Sequence, residues 1–530
     1  MLARFSRLIY TIRHITFVQI FFQIWYRVKK QFVRISHYQK YELSSLNSSF
    51  KCNVISTLKI NNKEYLFNNQ FCFLNVQHNF GDKIDWNYCG QGKLWNYNLQ
   101  YFNYLHDDSV RSPERLELLK SFSHDFLSNL VPPEPYPVSL RIINTLLFHL
   151  RFPIEDEIVK KALLLQIDYL ENNLEFHILA NHLLENAIAL YIASVFIDDK
   201  RLNKKATKLL LNQLGVQILP DGGHFECSPM YQSILLSRLL LAIELSTQSD
   251  LCNNSTTNIL RENAKKMLSW IKAYSFPDGS WALMNDAAIE IAPTTNQLFS
   301  AAKFLNIKIE NHPLRESGFR KLVGNNWEAI VKIGPIQPSY QPGHSHADIN
   351  SFCLWFNGKQ LIVDPGTSTY SISEQRDKER STLSHNTVSV LGMNQSDVWG
   401  GFRIGKRAKT NIIKDDSHRL ITTVYFLGNK KNSHTRSFIA SANQLEIIDE
   451  LKTQKSNIDS KSIGIMQLEK DVSIILENTS LRLNNSILVC SDEKISIEES
   501  EYATSFNILQ KSKKLVYPIS TKQSVSFKFL

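Results

Sequence analysis

The longest patterned region of the chain is a series of amphipathic segments between about residues 94 and 321. Apolar residues recur there at spacings of three and four, the periodicity of a helix with one buried face. Examples are RLELLKSFSHDFLSNL, NHLLENAIALYIASVFI and ILRENAKKMLSWIKAYSF. Breakers such as Pro132-Pro133 and Pro277-Asp278-Gly279 separate some of them. Seven or more successive helices without a fixed-period repeat predict a helical bundle or toroid.

The pattern changes from about residue 322 to the end of the chain. Short runs such as SFCLWFNGKQLIVD, HRLITTVYFLG and SVSFKFL alternate apolar and polar residues, with turn residues between them. This alternation predicts an antiparallel sheet or sandwich over residues 322–530. Helices followed by strands indicate a multidomain α+β protein, and 530 residues are too many for one core.

Residues 1–93 are interpreted as a basic arm followed by a small, partly β subdomain. From Met1 to Tyr41 there are eight Lys or Arg residues and no Asp or Glu, so this arm supplies most of the net charge of +10. The rest of the chain is close to neutral. Because a nucleic-acid-binding protein needs basic charge over a docking face, we expect no nucleic-acid partner.

The apolar part of the arm, Ile15–Tyr26, is too short for a membrane span. No convincing signal-peptide cleavage site precedes Lys29. Two interpretations stay open: residues 1–34 form a basic amphipathic helix with a peripheral membrane contact, or they dock on the protein itself. The seven cysteines are widely spaced and form no CxxC motif. Reduced thiols, and a cytoplasmic or membrane-peripheral location rather than a periplasmic one, fit that spacing best.

Two clusters of candidate functional residues lie in the helical region. Asn181-His182 opens a strongly apolar helix. Asn181 is either an N-cap, or it and His182 point into a cleft and donate hydrogen bonds to a carboxylate. The segment DGGHFECSPMYQ contains Glu226 on a loop and places Tyr231 in the first turn of a helix that begins at Ser228-Pro229. A buried structural tyrosine is the alternative.

Two further clusters lie in the strand-rich region. PGHSHADINSF contains His344 and His346, two residues apart. Asp364 ends an apolar strand in LIVDPGTSTY, and His385 opens another in STLSHNTVSV. His346, Asp364 and His385 are a ligand set that suits zinc. They are otherwise three unrelated strand-end residues held by ordinary hydrogen bonds.

The clusters together resemble the heparinase II/III-like family of polysaccharide lyases. The resemblance extends over most of the chain, from LWNYNLQYFNYL through YPVSLRIINTL, NHLLENAIAL and DGGHFECSPMYQ to GHSHADINSFCLWFNGKQLIVDPGTSTY and SHNTVSV. It implies an incomplete (α/α) toroid over residues 94–321 and an antiparallel β-sandwich domain over residues 322–530. It also implies cleavage of an acidic, uronate-containing polysaccharide or oligosaccharide by β-elimination.

The resemblance also implies roles for individual residues. Tyr231 and His344 match the proton-transfer pair, and Asn181 and His182 match the residues that neutralise the uronate carboxylate. The metal ligands of the zinc-containing members correspond to His346, Asp364 and His385, with zinc as a structural ion and no organic cofactor. Three residues near the motifs are further candidates for substrate contact: Glu226, Arg376 and Arg380. A solvated loop is the alternative for Arg380 and for its neighbour Arg376.

The chemistry explains why these residue types are needed. Removing the C5 proton of a uronate builds up negative charge beside an existing carboxylate, so donors at that carboxylate stabilise the transition state. A Tyr or His then takes the proton, and one of them protonates the leaving oxygen. Two alternatives use the same motifs: a uronyl C5-epimerase, and a non-catalytic glycan-binding or assembly protein. A basic N-terminus without a signal peptide is typical of relatives associated with surface-polysaccharide production, so a degradative role is not assumed.

Overall fold

The chain divides into a helical half and a strand-rich half, as the sequence predicted. The computed structural model describes residues 2–32, 38, 40–41, 46–59, 64–453, 462–477 and 480–530. The architecture is an α/α toroid followed by an antiparallel β-sandwich domain. Both halves contribute walls to one cavity, described below.

The N-terminal arm forms helices α1 (Leu2–Ile12) and α2 (Phe17–Phe32). Helix α1 docks on the strand-rich half, where Arg7 pairs with Asp397 at 2.8 Å. Helix α2 docks on the toroid, where the rings of Phe22 and Phe176 stack with centroids 4.7 Å apart. No helix within the described ranges is long and apolar enough to span a membrane.

The arm nevertheless leaves an apolar face uncovered. These large apolar side chains are exposed: Leu8, Ile9, Ile12, Ile15, Phe17, Val18, Ile20, Phe21, Ile24, Trp25 and Val28. Docking on the protein body, one of the two interpretations of the arm, is therefore observed for one face of these helices. It does not account for the other face.

The segment after the arm contains α3 (Val54–Leu58) and a hairpin of β1 (Gln70–Phe73) and β2 (Val76–Asn79). Its apolar side chains join the cores of the following helices. Phe71 and Phe73 pack in one cluster with Trp95, Phe122 and residues as far along as Leu165. The predicted subdomain is partly β, but its hairpin packs on the toroid and shares the toroid's apolar core.

Nine further helices follow in sequence. They are α4 (Lys93–Tyr101), α5 (Ser112–Leu127), α6 (Pro135–Arg151), α7 (Glu157–Asn172), α8 (Ala180–Phe196), α9 (Lys200–Gln217), α10 (Pro229–Ser246), α11 (Asn254–Tyr274) and α12 (Thr295–Phe304). Side-chain caps fix several starts: Asp156 accepts from the backbone of α7, and Thr294 and Gln297 form a capping box on α12. Helix α8 is buried at every position except His182, as expected for the apolar centre of a helical domain.

The strand-rich half is built from antiparallel sheets. The strands are β3 (Phe319–Val323), β4 (Trp327–Lys332), β5 (Phe352–Phe356), β6 (Lys359–Ile362), β7 (Val388–Ser389), β8 (Val398–Trp399), β9 (Arg403–Ile404), β10 (Lys409–Asp415), β11 (Arg419–Tyr425), β12 (Ser433–Ser441), β13 (Gln444–Lys452), β14 (Ile463–Gln467), β15 (Ile474–Leu476), β16 (Ser480–Leu483), β17 (Ile487–Ser491), β18 (Ser496–Ser505), β19 (Ile508–Pro518) and β20 (Lys522–Phe529). The short helix α13 (Glu374–Glu379) and a 3-10 turn (Thr382–Ser384) lie between β6 and β7.

Three sheets carry the domain. The largest has eight strands in the order β10-β11-β12-β13-β20-β17-β16-β15, and the two four-stranded sheets are β18-β19-β14-β7 and β3-β4-β5-β6. One apolar core joins them, with Phe352, Phe438 and Phe527 in contact at its centre. The first strand already begins at Phe319, three residues before the predicted boundary.

The two halves are packed against each other. Phe319, Ile330 and Trp355 of the strand-rich half belong to the apolar cluster of the toroid helices. The backbone N–H of Asp286 donates to the carbonyl of His344 at 3.1 Å. Side chains from both halves are therefore held in a fixed relation where the cavity lies.

Candidate active site

A cavity of about 590 Å³ lies between the two halves of the protein. Asn181, His182 and Tyr231 line it from the helical side, and His344 and Tyr370 from the other side. Most of the candidate residues therefore meet in one place, although more than a hundred residues separate the helical members from the others. A pocket of this size between two domains is a typical place for a ligand site.

The wall formed by the start of α8 is conformationally strained. Leu179 and Ala180 have φ values of 67° and 52°, in the region that non-glycine residues rarely adopt. Leu179 is the N-cap, and no side chain caps the helix, so the N-cap alternative for Asn181 is wrong. Cys227 and Asn285, next to Glu226 and Asp286, also have positive φ. Strain of this kind accumulates at functional sites, where the surrounding fold holds it.

Asn181 is already engaged in the cavity wall. Its Nδ2 donates to both carboxylate oxygens of Glu226, at 3.0 and 2.8 Å. Both side chains are buried, and the amide oxygen of Asn181 has no partner among the described residues. The expected donor therefore faces a carboxylate of the protein. To donate to a ligand, the amide of Asn181 must break its hydrogen bonds to Glu226 and form new ones to the ligand.

His182 is the basic side chain of this wall. Its Nδ1 lies 3.0 Å from Glu175 Oε1, and its ring packs on Tyr136 with centroids 4.4 Å apart. Burial alone lowers the pKa of His182, but Glu175, Glu226 and Glu185 together outweigh burial and raise it. Because Nδ1 is held by Glu175, Nε2 is the ring nitrogen left for a group in the cavity.

Tyr231 lies in the first turn of α10. Ser228 is the N-cap and accepts from the backbone N–H of Tyr231, and Pro229 takes the first helical position, as predicted. The ring of Tyr231 lies over that of His344, with centroids 4.1 Å apart. Its hydroxyl is 3.1 Å from that of Tyr370. Burial, followed by Tyr370 and Asp286, raises the pKa of Tyr231 far above its usual value, so the phenol keeps its proton.

His344 is positioned by a buried carboxylate that sequence reasoning missed. Its Nδ1 lies 2.8 Å from Asp286 Oδ2. Arg376 holds the same carboxylate through two bonds, of 2.5 Å to Oδ1 and 2.7 Å to Oδ2. Although burial opposes ionisation, Arg376 and the imidazoles of His344 and His346 hold the pKa of Asp286 well below its usual range.

This arrangement selects a tautomer of His344. An ionised carboxylate only accepts, so the Nδ1 of His344 carries a proton and the neutral ring has its lone pair on Nε2. The side chain of His344 keeps 13% exposure, whereas that of Asp286 is fully buried. His344 can therefore accept a proton from a ligand in the cavity.

Arg376, in α13, and Arg380, directly after α13, have roles that the sequence did not predict. Arg376 is buried and holds Asp286, so the solvated-loop alternative is wrong for it. Arg380 is also fully buried and does not line the cavity. Its guanidinium donates to the backbone carbonyls of Ser345 and Gly401, which supports the histidine loop. Contact of Arg380 with substrate, as predicted, has no basis in this geometry.

The three predicted metal ligands converge behind His344. One ligand atom each from His346, Asp364 and His385 lies within 4.8 Å of the other two, and all three residues are buried. His346 donates through Nε2 to Asp286 Oδ1 at 2.9 Å, and its Nδ1 has no partner among the described residues. The Nε2 of His385 is also without a described partner. Burial lowers the pKa of His346 to about 3, so it is neutral, as a ligand must be. The residues therefore fit a zinc ion.

Asp286 and Tyr370 are the site residues with the weakest sequence signal. Asp286 follows WALMN in a segment without any motif, and Tyr370 ends the PGTSTY stretch. Only the convergence of three distant segments gives Asp286 its role. A buried acid next to an apolar run is a signal, but many such acids are structural.

Comparison with known protein families agrees with this geometry. The model of the heparinase II/III N-terminus matches residues 158–307, and that of the heparinase II/III-like C-terminal domain matches residues 308–529. The chain belongs to the heparinase II/III-like family. The boundary between the two matches lies in the connection between α12 and β3.

Individual relatives are distant from this heparinase II/III-like protein. A heparin-sulfate lyase of Bacteroides stercoris is 25% identical over 311 residues, which are 53% of this chain and 45% of that relative's length. The crystal structure of a heparinase III has a TM-score of 0.65 at 14% identity and covers 94% of this chain and 88% of its own. The heparan sulfate lyase of Pedobacter heparinus has a TM-score of 0.56 at 17% identity, covering 96% and 87%. These structures share the fold.

Proposed function

We propose that this protein is a polysaccharide lyase that cleaves an acidic, uronate-containing glycan by β-elimination. The observation that carries the proposal is the contact between Tyr231 and His344, whose rings lie 4.1 Å apart across the domain junction and line one cavity with His182. The relatives named as a heparin-sulfate lyase and a heparan sulfate lyase support the same reaction class.

The uronate carboxylate binds at the start of α8 in this proposal. The imidazolium of His182 donates to it through Nε2, because Nδ1 is engaged with Glu175. The amide of Asn181 donates a hydrogen bond to the same carboxylate once its bonds to Glu226 are broken. These donors stabilise the negative charge that builds up when C5 loses its proton, an effect typically worth several kcal/mol.

His344 is the base and Tyr231 the acid. The Nε2 of His344 takes the C5 proton, and the electron pair of the C5–H bond forms the C4–C5 double bond. The C4–O bond breaks, and the phenol of Tyr231 gives its proton to the leaving oxygen. Asp286 stabilises the imidazolium of His344, and the raised pKa of Tyr231 keeps the phenol protonated until the leaving oxygen develops charge.

The stacking of the two rings also implies a substrate stereochemistry. Because Tyr231 and His344 lie against each other, they reach the sugar from the same side. The proton at C5 and the oxygen at C4 must then lie on one face of the ring, as in a gluco-configured uronate. Its C5 epimer, with these groups on opposite faces, is expected to react more slowly.

Zinc is proposed as a structural ion held by His346, Asp364 and His385. When bound, it supplies a rigid cross-link between the histidine loop and two strand ends, and it needs no part in the proton transfers. Elemental analysis of the purified protein is expected to find zinc, and His385→Ala to lose it. A folded, fully active protein without metal would contradict this proposal.

The lyase proposal is tested with a panel of uronate polysaccharides. Cleavage generates an unsaturated uronate whose ultraviolet absorbance rises with time, and we expect this signal with at least one member. The epimerase alternative predicts exchange of the C5 hydrogen with solvent deuterium and no absorbance. A non-catalytic glycan-binding protein gives neither signal, and that result would reject the lyase.

We also propose that the arm binds an anionic lipid surface. The arm exposes eleven large apolar side chains, ten of them on α1 and α2, and it carries eight basic residues and no acidic ones. Apolar side chains beside positive charge are complementary to an anionic bilayer interface. Because Gln19 bonds to the carbonyl of Ile178, a residue that lines the cavity, α2 lies next to the cavity rim.

Vesicle sedimentation tests the lipid proposal. Vesicles with anionic lipid are expected to carry the protein down at low salt, and purely zwitterionic vesicles much less. Phe17→Glu combined with Ile24→Glu should release it, since both side chains are exposed and lie outside the cavity. Equal recovery from both kinds of vesicle, or none from either, would contradict the proposal.

A further inference from the structure

Arg238 is a cavity-lining cation for which the proposed reaction has no use. It lies on α10 and lines the cavity between the two domains. The other cavity-lining cations with long side chains are paired, Lys59 with Asp108 and Lys93 with Glu134. Arg238 has no ion-pair partner within the described ranges, and its Nε is buried without a hydrogen bond. A buried guanidinium N–H without an acceptor is costly unless a ligand supplies one.

The groups around Arg238 are also incomplete. Glu185 is fully buried, and neither of its carboxylate oxygens has a hydrogen-bond partner among the described residues. Tyr101, Tyr136 and His106 also line the cavity, and Nδ1 of His106 is likewise unpartnered among the described residues. Arg238 acts electrostatically on each of these four groups. Several polar groups without internal partners at one end of a cavity indicate a ligand that supplies them.

Glu185 does not neutralise Arg238 as a contact ion pair, because no bond joins the two side chains. Burial, although opposed by Arg238 and His182, raises the pKa of Glu185 to about 7. Near neutral pH a large share of Glu185 therefore carries a proton, so its charge only partly offsets that of Arg238. An anion is favoured there over a cation.

The position of Arg238 on α10 places this end of the cavity away from the reacting sugar. Seven residues separate Tyr231 from Arg238, which is two turns, or about 10 Å, along one face of the helix. The two positions are therefore far enough apart along α10 for Arg238 to meet a group on a sugar next to the one whose C5 proton is removed.

We propose that Arg238 is the centre of an anion subsite that binds an oxyanion, carboxylate or sulfate, on a sugar next to the reacting uronate. The inference rests on the proposed lyase function and specifies the substrate as a glycan that carries a second anionic group. The planar fork of a guanidinium pairs with both kinds of oxyanion through two bonds. Tyr101 and Tyr136 complete the subsite with hydroxyl donors.

Steady-state kinetics of Arg238→Gln and Arg238→Lys test the subsite. Each is compared with wild type on a sulfated uronate glycan and on the same glycan after desulfation. Lys93→Gln is the control, because it also removes one positive charge from the cavity rim but one that is already paired with Glu134. Thermal unfolding of each variant shows whether the fold is kept.

We expect Arg238→Gln to raise KM by about tenfold or more, Arg238→Lys to raise it less, and Lys93→Gln to leave it almost unchanged. A rise only on the sulfated glycan identifies the oxyanion as sulfate, and a rise on both identifies it as carboxylate. An unchanged KM for Arg238→Gln on both glycans, or an equal rise for Lys93→Gln, would overturn the subsite. If wild type cleaves neither glycan nor any other uronate polymer, the lyase function itself fails, which is a separate result.

Discussion

Two buried aspartates in this protein have almost the same partners and different consequences. Asp449, in the β-sandwich, accepts two bonds from Arg436, one from His434 at 2.6 Å and one from Tyr517 at 2.9 Å. All four residues are fully buried. None of the four lines the cavity between the two halves. Arg436 also donates to the backbone carbonyls of Asn350 and Asn386, so the network joins β12, β13 and β19 to the segments before β5 and β7.

Asp286, at the domain junction, also accepts two bonds from one arginine and further bonds from imidazoles. The difference is His344, which keeps 13% exposure and lines the cavity. A buried ionic network therefore does not identify an active site by itself. What distinguishes the Asp286 network is one member that presents a free nitrogen to a ligand.

The largest contrast is expected when the histidine of each network is removed. His344→Ala should lower kcat by at least about a thousandfold, because the general base is lost, while the midpoint of thermal unfolding changes little. His434→Ala should lower the midpoint of thermal unfolding and leave kcat almost unchanged, since it removes a buried hydrogen bond to Asp449. Product absorbance and thermal unfolding measure the two effects. A fully active His344→Ala would reject its role as base.

Replacing each of the two aspartates gives a second comparison of the networks. Asp286→Asn and Asp449→Asn each leave a buried arginine without its counter-charge, and each should cost about 3 kcal/mol of stability. Only Asp286→Asn is expected to lower kcat as well, by about a hundredfold or more, because His344 loses the acceptor that fixes its tautomer. The measurement is kcat per folded molecule. Equal kcat values for the two variants would show that Asp286 is structural only.

The pH dependence of thermal stability should show the contribution of His434 in the Asp449 network. Burial lowers the pKa of His434, with Asp449 opposing. A lowered folded-state pKa means that stability is present above the unfolded value near 6.5 and is lost as the pH falls below it. The midpoint of thermal unfolding should therefore fall from pH 7.5 to 5, and fall less in His434→Gln. Parallel curves for the two proteins would exclude this contribution.

The smallest effect is expected at Tyr370. Its hydroxyl lies 3.1 Å from that of Tyr231, and Tyr370→Phe removes only this bond. We expect kcat to fall by a few-fold, on the scale of one hydrogen bond, and stability to stay the same. The matched change Tyr517→Phe in the other network should lower stability and leave kcat unaltered. A loss at Tyr370 as large as that of His344→Ala would make Tyr370 the acid in place of Tyr231.

The order of helices and strands could be predicted from the sequence because each half keeps one periodicity over a long stretch. Helix α8, where most of the buried positions are apolar, and strand β12, where buried and half-buried positions alternate from Thr435 to Ala440, are examples. The predicted boundary at residue 322 lies inside β3, since the first strand is short and carries basic residues at Arg320 and Lys321.

The site was partly predictable for a different reason. Tyr231, His344 and the three candidate zinc ligands lie in short motifs whose residue types carry chemistry, and the fold brings these motifs together. Asp286 could not be found in this way, because its function depends on His344 and Arg376, which are far from it in sequence. Arg380 shows the opposite error. A charged residue near a motif suggests contact with substrate, but this guanidinium is buried against backbone carbonyls.

The most direct test of the account is a crystal structure of the Tyr231→Phe protein with a bound uronate oligosaccharide. The account predicts the uronate carboxylate at His182 and Asn181, and C5 within about 3.5 Å of His344 Nε2, on the side that faces Phe at position 231. A carboxylate bound elsewhere, or a C5 that faces away from His344, would contradict the proposed elimination.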